Sequence, residues 1–487
     1  MKFHRMQQPS IVLTADESVM SDFRKHIYNG YAACFPQNFF TKSFFKKLCP
    51  PVECHHNGRV KLAPTSLRIV EAILCRCGFS ENDYAIVHPA YLDHFIGRET
   101  KIIGISAIDP RGLGPISTTI HSLIGGTPYS RVLFASLLKQ LKPLKEKYSL
   151  TIVAGGPGAW QLADEKILDK FGIDYLVVGE AENIIPKLFV KLIHNKNVHS
   201  SRIITGKAPN AEEIPAILHP TTNGLIEVSR RCGRGCKWCS SSFAGAMRCI
   251  PIDTIKKSAE VNVKSNITDI SLQSDDILLY GSKPGKFVPD QDALLMLLNE
   301  LYSIKGIRNV SFLHFSFASI VANPDILPKI TNLLKKRGCT SFEVQIGIES
   351  GSPHLIERYM PGKALPFSPY EWPNIVKEAA HILKENGWFC YATLIIGLPG
   401  ESSEDIRYTA KLVRELKGHP IVIIPLLFTP LTPLGEPKHP SYKRIIKKNA
   451  LLFHEVLKHN QLASQYRNFS PFIIDYLNKL LQYVPFS

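Results

Sequence analysis

The sequence predicts an α/β fold, in which a doubly wound, Rossmann-like N-terminal domain is followed by a partial β/α barrel and a helical tail. Short uninterrupted runs of Val, Ile and Leu alternate with longer stretches of helical periodicity, which is typical of buried parallel strands separated by helices. The composition, with 45% hydrophobic and 21% charged residues, excludes a disordered or collagen-like chain. Its length is enough for about three ordinary domains.

Strands and helices alternate in the first third of the chain. The predicted strands are 85–88, 102–107, 150–154 and 175–178, and the predicted helices are 66–75, 129–148 and 165–171. Sheets of this kind bind their ligands at the carboxyl ends of the strands. We therefore look for binding residues directly after each strand.

A polar, proline-containing linker at 207–220 precedes the predicted barrel. The later strands are predicted at 224–228, 269–272, 310–314, 342–348 and 389–396, with helices at 253–263, 325–337 and 372–386. The predicted division is a Rossmann-like domain at 1–206, the linker, a barrel at 221–430 and a helical extension at 431–487. The most apolar run, 421–434, is broken by three prolines and is shorter than the roughly 20 residues of a membrane span.

The charge balance favours an anionic partner. The 58 Lys and Arg residues outnumber 42 acidic residues, which gives a net charge of +16. Nucleic acid, a phosphorylated substrate and an anionic lipid surface all fit this surplus, and so does a merely solvated surface. The first ten residues do not resemble a signal peptide, and the eleven cysteines of so long a chain indicate a reducing compartment. We expect a cytoplasmic protein, with peripheral membrane contact as an alternative.

Three cysteines form the most informative motif. Cys232, Cys236 and Cys239 lie within eight residues on a glycine-containing loop after a predicted strand. Three thiolate ligands leave one coordination position of a metal centre open, and chemistry requires such a position. A closed structural zinc site with Cys249 as its fourth ligand is the alternative. Basic side chains on the loop are expected to balance the thiolate charge: Arg230, Arg231, Arg234 and Lys237.

The C-x3-C-x2-C spacing resembles the signature of the radical S-adenosylmethionine (radical SAM) superfamily. The resemblance implies that Cys232, Cys236 and Cys239 bind a [4Fe-4S] cluster, whose fourth iron is chelated by SAM. One electron, supplied by a reductase or a ferredoxin-type donor, then cleaves SAM to a 5′-deoxyadenosyl radical. In such enzymes the cofactor carries the chemistry and the protein orients it.

Later strand ends resemble the SAM-binding segments of this family. Glu349 and Ser350 follow one predicted strand, and Gly397 follows the next. The family's glycine-rich motif is missing, and its place is taken by Asp275 and Asp276, whose carboxylates are candidates for the methionine ammonium. Ordinary turn chemistry at strand ends is the alternative for all of these residues.

The N-terminal strand ends resemble the cobalamin-binding domain of many radical SAM proteins. The residues that carry the resemblance are Asp109, Arg111, Gly114, Gly155, Gly156, Gly179 and Glu180. Asp109 and Gly114 match the family's Asp-x-His-x-x-Gly motif, but Arg111 replaces the histidine that binds cobalt. Arginine has no lone pair for cobalt. The resemblance therefore implies cobalamin without a protein imidazole, or a domain that is now only a scaffold.

The resemblance implies an enzyme that abstracts hydrogen from an unactivated carbon and forms a carbon–carbon bond. The overall pattern is similar to archaeal members that act on tetraether membrane lipids (GDGT), so cyclopentane ring formation in such lipids is the first candidate. The alternative is C-methylation of a peptide, protein or small metabolite. An apolar helical face at 472–484 and the basic run at 443–448 suit a lipid surface, although such faces commonly dock on their own domain.

Two other functional classes remain open. An RNA-modifying methylthiotransferase fits the positive charge, but the family's three additional N-terminal cluster cysteines have no counterpart in spacing here, so a nucleic-acid partner is not expected. A non-catalytic metal scaffold is the other class. A second metal site is considered at residues whose spacing fits no common zinc pattern: Cys49, Cys54, His55, His56, Cys75 and Cys77. His314, at a strand end, points either into the barrel cavity or into the core.

Overall fold

The computed structural model describes residues 8–194, 201–239, 245–430 and 442–463. The chain divides into two compact units. The first comprises Met1–Ser117, Gly126–Ile226 and Asp253–Ile267, and the second comprises Thr118–Gly125, Glu227–Ile252 and Thr268–Ser487. The domain limits inferred from the sequence stay a prediction. The apolar face at 472–484 lies outside the described residues.

The first unit is built on a six-stranded sheet with the order β2-β1-β3-β4-β5-β6, in which every neighbouring pair is parallel. The strands are β1 (Ile11–Ala15), β2 (Tyr84–Ile86), β3 (Ile102–Ser106), β4 (Thr151–Gly155), β5 (Tyr175–Gly179) and β6 (Ile203–Gly206). The α/β prediction is confirmed, and the four predicted strands of this region are present. Strands β1 and β6 were not predicted, because they lie outside the clear strand–helix alternation.

Helices precede, separate and follow the strands of this sheet. They are α1 (Lys42–Leu48), α2 (Thr65–Arg76), α3 (Leu92–Phe95), α4 (Pro115–Ile124), α5 (Tyr129–Tyr148), α6 (Glu165–Phe171), α7 (Ile185–Ile193) and α8 (Ile252–Lys264). Helix α5 buries apolar side chains at a spacing of three and four residues, so that one face packs into the core. Helix α6 starts at the capping side chain of Asp164 and stops at Gly172 in the left-handed conformation.

Strand order reverses between β1 and β3, because the chain first adds β2 on one side and then continues on the other. A crevice at such a switch point is the usual ligand site of a doubly wound sheet. Asp16 follows β1 at this position, and the segment 107–114 follows β3. The fold thus brings the predicted loop of Asp109 to the carboxyl edge of the sheet.

From residue 225 onward the chain contains a further series of strands that are neighbours in chain order. Its main strands are β7 (Leu225–Glu227), β10 (Asp269–Gln273), β11 (Asn309–Phe312), β12 (His314–Phe315), β13 (Phe342–Glu349), β14 (Trp388–Ile396) and β15 (Ile421–Leu427). The sheet orders are β11-β10-β7 and β12-β13-β14-β15. Leu313 joins them, since its amide donates to the Leu272 carbonyl (3.3 Å) and its carbonyl accepts from the Gln345 amide (2.9 Å). This sequential arrangement is that of a partial β/α barrel.

Strand β15 was not predicted, because prolines interrupt its apolar run. It lies at the end of the sheet order, and Pro425 pairs in register with Leu394. Proline is tolerated on such an edge strand, where one side of the backbone needs no ladder partner. A short antiparallel pair, β8 (Ser229–Arg230) and β9 (Arg248–Cys249), flanks the cysteine segment.

The remaining helices alternate with the barrel strands or follow them. They are α9 (Gln291–Tyr302), α10 (Phe317–Ala322), α11 (Ile326–Lys336), α12 (Pro353–Tyr359), α13 (Trp372–Glu385), α14 (Ser403–Glu415), α15 (Tyr442–Lys448) and α16 (Ala450–Ala463). Segments of 3-10 helix occur at Phe23–Lys25, Ile27–Cys34, Pro89–Tyr91, Ala159–Leu162, Ala211–Glu213, Thr222–Gly224, Ile277–Leu279, Pro361–Lys363 and Pro369–Glu371. Among the described helices, none combines the length and the apolar character that crossing a bilayer requires.

Candidate functional site

The three cysteines of the motif lie close together on one loop of the second unit. Cys236 is buried, Cys232 and Cys239 are partly buried, and the three thiols interact electrostatically. Burial raises the pKa of Cys232 to about 11 and that of Cys236 to about 12, so both thiols are protonated until a positive charge or metal approaches. Within the described parts of the chain, no three Cys, His, Asp or Glu side chains have already converged into a metal site.

The arrangement fits a cluster by its donor chemistry. A sulfur-rich set contributed by one short loop is the ligand set that iron–sulfur clusters prefer. Cys249, the fourth ligand of the zinc alternative, accepts a hydrogen bond from the Gly281 amide at 3.3 Å. The Cys249 thiol thus has the Gly281 amide as its own hydrogen-bond donor, and Cys249 is not among the groups that shift the pKa of Cys236.

Arg234 fixes the cysteine loop and does not serve only as a counter-charge. Its guanidinium is almost fully buried and donates to the carbonyl oxygens of Gly362, Lys363 and Leu365 at 2.7–3.2 Å. It also donates to Ser319 Oγ (2.8 Å) and lies 3.4 Å from the carboxylate of Asp276. The sequence analysis expected Arg234 to balance thiolate charge, but these contacts make it the anchor of the loop.

Gly362 allows this anchoring. A Cβ atom added at Gly362 would lie 1.9 Å from the Arg234 carbonyl oxygen, so only glycine lets the two segments approach. The turn Pro361–Lys363 therefore holds the cysteine loop from one side.

Glu349 is held in an unusual backbone conformation at the end of β13. Its φ is +64°, in the left-handed region that non-glycine residues rarely adopt, and the register with β14 shifts between Gly347 and Glu349. Its side chain is buried, and Thr393 donates to Oε1 at 3.1 Å. Oε2 is buried without a hydrogen-bond partner. A strained, buried carboxylate with an unused acceptor fits a ligand that brings a donor.

Lys363 is a site residue that the sequence analysis missed. Its Nζ lies 3.6 Å from Glu349 Oε1 and 5.4 Å from the centre of the Trp372 ring. Its positive charge lowers the pKa of the Cys236 thiol, against the effect of burial. Burial raises the pKa of Glu349, and Lys363 opposes this effect. Lys363 thus connects the cysteine loop with the strand end that carries Glu349. No pattern in one sequence places these two residues together.

Asp276 and Asp275 differ in their surroundings. Asp276 is buried and accepts from Arg234 and Ser319, so it anchors the cysteine loop through Arg234. Asp275 is exposed and accepts a hydrogen bond from the backbone amide of Arg231. Its negative charge raises the pKa of Cys232. Of the two, Asp275 is therefore better placed for an ammonium group, and that role stays a prediction.

His314 lies at the end of β12 beside this carboxylate. Its Nδ1 is 3.2 Å from the Ser274 carbonyl oxygen, and it also interacts with Gln345 and with the charge of Asp275. Burial lowers the pKa of His314. The ring is thus linked to three neighbours at a strand end.

Ser350 and Gly397 have structural contacts of their own. Ser350 Oγ lies 3.3 Å from Thr409 Oγ1 and accepts from the Ser352 amide at 3.1 Å. Gly397 has a φ of +86°, and a Cβ added there would lie 2.7 Å from the Ile445 side chain. Ligand binding by either residue would use its backbone and stays a prediction.

Glu401 connects the loop after β14 to helix α15 and the start of α16. Its Oε2 accepts from the Gly397 amide (3.1 Å) and from Asn449 Nδ2 (3.2 Å). Burial raises the pKa of this carboxyl to about 7.

The raised pKa of Glu401 predicts a pH-dependent stability. The carboxyl binds protons more tightly in the folded than in the unfolded state, so its stabilising effect is complete below about pH 4.5 and is lost as the pH rises to about 7. Glu401→Gln should remove this loss, which is on the order of 3 kcal/mol. Urea unfolding at pH 5 and pH 8 measures it. An equal change in stability between these pH values in both proteins would contradict the prediction.

Asp109 organises the loop after β3 in the first unit. Its carboxylate accepts from the Gly114 amide (2.8 Å), Ser117 Oγ (2.5 Å) and Gln161 Nε2 (2.7 Å). The side-chain Oε1 of Gln161 in turn accepts from the Arg111 amide at 2.9 Å, and the backbone carbonyl of Gln161 accepts from the Arg111 guanidinium at 3.0 Å. Asp109 therefore shapes the loop, and Gln161 is the partner that the sequence analysis did not single out.

The glycines of the other strand ends have steric reasons within the fold. A Cβ at Gly156 would lie 2.8 Å from the Ala107 carbonyl oxygen, and one at Gly179 would lie 2.9 Å from the Gly206 carbonyl oxygen. A Cβ at Gly155 would make only an ordinary contact at 3.5 Å. Close packing of the strand-end loops therefore explains why glycine occupies positions 156 and 179. That Gly155, Gly156, Gly179 and Glu180 contact a ligand stays a prediction.

The N-terminal cysteines have separate neighbours. Cys49 donates to the Asn29 carbonyl at 3.3 Å, and Cys54 lies 3.6 Å from the Val52 carbonyl. Cys75 is exposed on α2, and Cys77 ends that helix. These contacts favour the interpretation as ordinary thiols.

The family comparison identifies the barrel. Residues 226–413 match the model of the radical SAM superfamily. This range begins at β7 and includes the cysteine loop, Glu349, Lys363 and Gly397. The resemblance inferred from the cysteine spacing is therefore confirmed for this part of the chain, and a radical SAM domain implies a [4Fe-4S] cluster and SAM.

Curated relatives share part of the chain. An uncharacterised protein of Methanopyrus kandleri is 24% identical over 381 residues, which are 64% of this chain and 68% of the relative. A tRNA-2-methylthio-N(6)-dimethylallyladenosine synthase of Fusobacterium nucleatum is 26% identical, over 57% of this chain and 60% of that enzyme. A probable threonylcarbamoyladenosine tRNA methylthiotransferase of Methanocaldococcus jannaschii is 26% identical over 41% of this chain and 43% of its own length.

Solved structures cover more of the chain. The radical SAM methyltransferase TsrM of Kitasatospora setae, solved with cobalamin and a [4Fe-4S] cluster, superposes with a TM-score of 0.57 at 14% identity, covering 88% of this chain and 77% of TsrM. The cobalamin-dependent radical SAM enzyme OxsB has a TM-score of 0.51 at 12% identity and covers 84% of this chain and 52% of OxsB. Residues 226–413 thus match the radical SAM superfamily, and the fold of the chain is similar to those of these two cobalamin-dependent radical SAM enzymes.

Proposed function

We propose that this protein is a cobalamin-dependent radical SAM enzyme that forms a carbon–carbon bond at an unactivated carbon, with methyl transfer as its reaction. The observation that carries the proposal is the cysteine loop of the second unit, anchored by Arg234 and placed beside the strained, partly unsatisfied carboxylate of Glu349. When bound, the cluster supplies the electron that cleaves SAM, and cobalamin supplies a carrier for the methyl group.

The residues of the second unit have distinct tasks in this proposal. Cys232, Cys236 and Cys239 would ligate the cluster, and Glu349 Oε2 would accept a hydrogen bond from a ribose hydroxyl or an ammonium of SAM. Lys363 holds Glu349 in place and offsets negative charge near Cys236. The protein thereby orients SAM, and a small error of position lowers the rate strongly.

Glu349→Gln is expected to weaken SAM binding by roughly tenfold or more, because a hydrogen bond to a charged group contributes about 1.5–3 kcal/mol. Calorimetry with the reconstituted protein under anaerobic conditions measures the affinity. Glu343→Gln is the matched control, since it changes the same residue type at the amino end of the same strand. Unchanged SAM affinity in Glu349→Gln would remove Glu349 from the site.

Cobalamin is the proposed ligand of the first unit. The loop shaped by Asp109 lies at the carboxyl edge of the sheet, and the fold likeness to TsrM and OxsB supports this assignment. Arg111 is tied to Gln161 and has no lone pair for cobalt. We therefore expect cobalamin whose lower face carries no imidazole of the protein.

The cobalamin content tests this assignment directly. Protein from cells grown with hydroxocobalamin should contain about one corrinoid per chain, and its spectrum should lack the signature of a histidine-bound cobalt. Absence of corrinoid would reduce the first unit to a scaffold. The assignment of the radical SAM domain would be unaffected, since it depends on the second unit.

Ring formation in tetraether lipids is the second candidate. The net charge of +16 supports it, because a basic surface attracts an anionic lipid. The two reactions differ in their products, since methyl transfer adds one carbon and ring closure removes two hydrogens. Mass spectrometry of lipids, peptides and metabolites from a deletion strain and its parent distinguishes a mass difference of one methylene from one of two hydrogens.

Methylthiolation of tRNA is less well supported, although several curated relatives carry that name. Those matches cover only part of the chain. In addition, the N-terminal cysteines Cys49 and Cys54 contact separate backbone carbonyls, so they do not form the second cluster site that such enzymes carry in their first domain. Tenfold stimulation of SAM cleavage by transcribed tRNA would support this class over the proposal.

A further inference from the structure

The barrel strands have an outer face that packs on helices and an inner face. Trp388 marks the outer face, because its indole donates to Thr331 Oγ1 on α11 at 2.7 Å. The Trp388 ring contacts the rings of three phenylalanines, Phe312, Phe315 and Phe342, which therefore point outward as well. Since side chains alternate along a strand, the neighbours of these aromatic residues point to the inner face.

His314 and Gln345 form a polar pair on the inner face. They lie in register on β12 and β13, one residue before the outward Phe315 and three residues after the outward Phe342. Both are partly exposed, and their side chains interact through a hydrogen bond. His314 Nδ1 lies 3.2 Å from the Ser274 carbonyl oxygen, which can only accept, so this nitrogen carries a proton. The orientation of the His314 ring is thereby fixed.

Strands β10 and β11 extend this polar surface. Ser311 precedes the outward Phe312 and therefore lies on the inner face. Ser271 pairs in register with Ser311, and their Oγ atoms are 3.0 Å apart. Gln273 follows Ser271 by two residues and returns to the same face, where it is partly exposed. The polar inner face thus consists of Ser271, Gln273, Ser311, His314 and Gln345.

Gly347 connects the polar inner face with the proposed SAM site. It follows Gln345 by two residues on β13, which corresponds to roughly 7 Å along the strand. A Cβ atom at Gly347 would lie 1.9 Å from Glu349 Oε1 and 3.0 Å from Lys363 Nζ. Glu349, Lys363 and the polar residues therefore share one face of the sheet. A ligand on the polar inner face is a neighbour of SAM in the proposed site.

Strand β14 contributes the apolar part of the inner face. Tyr391 pairs in register with Gln345, and Phe389 lies two residues earlier on the same side. Both rings are buried and contact each other edge-on, with their centres 5.4 Å apart. The inner face is thus polar on β10 to β13 and aromatic on β14.

We propose that the substrate bears amide groups, as a peptide or an amino-acid derivative does, and that Gln273, His314 and Gln345 bind it beside SAM. This inference rests on the proposed function and adds the class of substrate. A glutamine side chain carries both donors and an acceptor, which match those of a substrate amide. The hydrocarbon chain of a tetraether lipid would take water from these groups without replacing its hydrogen bonds, which is unfavourable.

Deuterated extracts of a deletion strain test the substrate class. Cells grown in D2O provide three fractions, which are peptides with proteins, small polar metabolites, and membrane lipids. Each fraction is incubated anaerobically with the holoenzyme, SAM and dithionite, and mass spectrometry measures deuterium in 5′-deoxyadenosine. Dithionite supplies the electron that cleaves SAM, and the 5′ carbon takes a deuterium atom from a C–D bond of the substrate. The substrate carbon radical then takes the methyl group, which leaves cobalamin reduced by one electron.

Deuterium transfer from the peptide or the metabolite fraction is the expected result, and the active fraction identifies the source of the amide. Transfer from the lipid fraction and from neither of the others would overturn this inference, although a radical SAM reaction would stand. No transfer from any fraction would contradict the proposed function and this inference together.

Gln345→Leu tests the polar inner face itself, because it approximately keeps the side-chain volume and removes the hydrogen-bonding groups. With the active fraction, we expect the deuterated share of 5′-deoxyadenosine to fall roughly tenfold. This share does not depend on how much protein is folded or loaded. Gln273→Leu is the second variant, which tests the same face if Gln345→Leu does not fold.

Gln291→Leu is the matched control, since Gln291 begins α9 and bonds to the exposed Lys329 at 2.7 Å. It should retain the deuterated share of the wild type. A wild-type share in Gln345→Leu and Gln273→Leu, or an equal fall in Gln291→Leu, would overturn the assignment of the polar inner face to the substrate.

Discussion

Cys236→Ala is expected to abolish SAM cleavage, with a fall in rate of at least about a hundredfold, because a cluster with two protein thiolates is not retained. Cys236 is the most buried of the three cysteines, and the charges of both others raise the pKa of its thiol, so the variant removes the central ligand. Iron and sulfide content, the absorbance near 400 nm and formation of 5′-deoxyadenosine after reduction measure the loss.

Cys249→Ala is the matched control for Cys236→Ala. Cys249 accepts from the Gly281 amide and is not needed in the three-cysteine site, so this variant should retain cluster and cleavage. If Cys249→Ala loses the metal and the wild type contains zinc, the closed four-cysteine interpretation replaces the cluster. Retention of cleavage in Cys236→Ala would equally contradict the assignment.

Arg234→Met is expected to destabilise the second unit by about 3–5 kcal/mol, because it leaves the buried carboxylate of Asp276 without its positively charged partner. The arginine also donates to three carbonyl oxygens on the 361–365 turn, and these acceptors would lose their donor. The cysteine loop should then shift, so that cluster content falls together with stability. Urea unfolding followed by circular dichroism and iron content provide the two measurements.

Arg230→Met and the double variant Arg234→Met/Asp276→Asn serve as controls. Arg230 belongs to the same loop region but pairs with the partly exposed Glu227, so its loss should cost about 1 kcal/mol or less. Removing the charge of Asp276 in the double variant should recover part of the lost stability, since the unpaired buried charge is gone. Equal effects of Arg230→Met and Arg234→Met would mean that Arg234 does not anchor the loop.

Local sequence predicted the regular elements well where composition and periodicity agree. Helix α5 and helix α6 were predicted with the bounds that the structure has, because each combines an apolar face with a defined end. Strand β15 was missed because Pro425 argues against a strand unless the edge position is known. The position of a strand within its sheet is a tertiary property, so the sequence of this segment does not contain it.

In the candidate site, too, residues close in the sequence could be predicted to act together, whereas partners distant in the sequence could not. The cysteine spacing indicated the radical SAM family, since ligands that must meet at one cluster lie within eight residues. The partners of these residues are distant: Arg234 pairs with Asp276, and Lys363 lies beside Glu349. Arg234 keeps the counter-charge role expected for it, since its charge lowers the pKa of Cys232, and the structure adds its bonds to a buried carboxylate and three carbonyl oxygens.

The sequence by itself determined the α/β class, the parallel strands and the cysteine motif, because each depends on residue type and spacing over short distances. The tertiary structure alone decided the strain at Glu349, the anchoring of the cysteine loop and the loop network of Asp109 with Gln161. These features arise where segments far apart in the chain pack together, and burial then gives single hydrogen bonds and charges an energetic weight that no local pattern reveals.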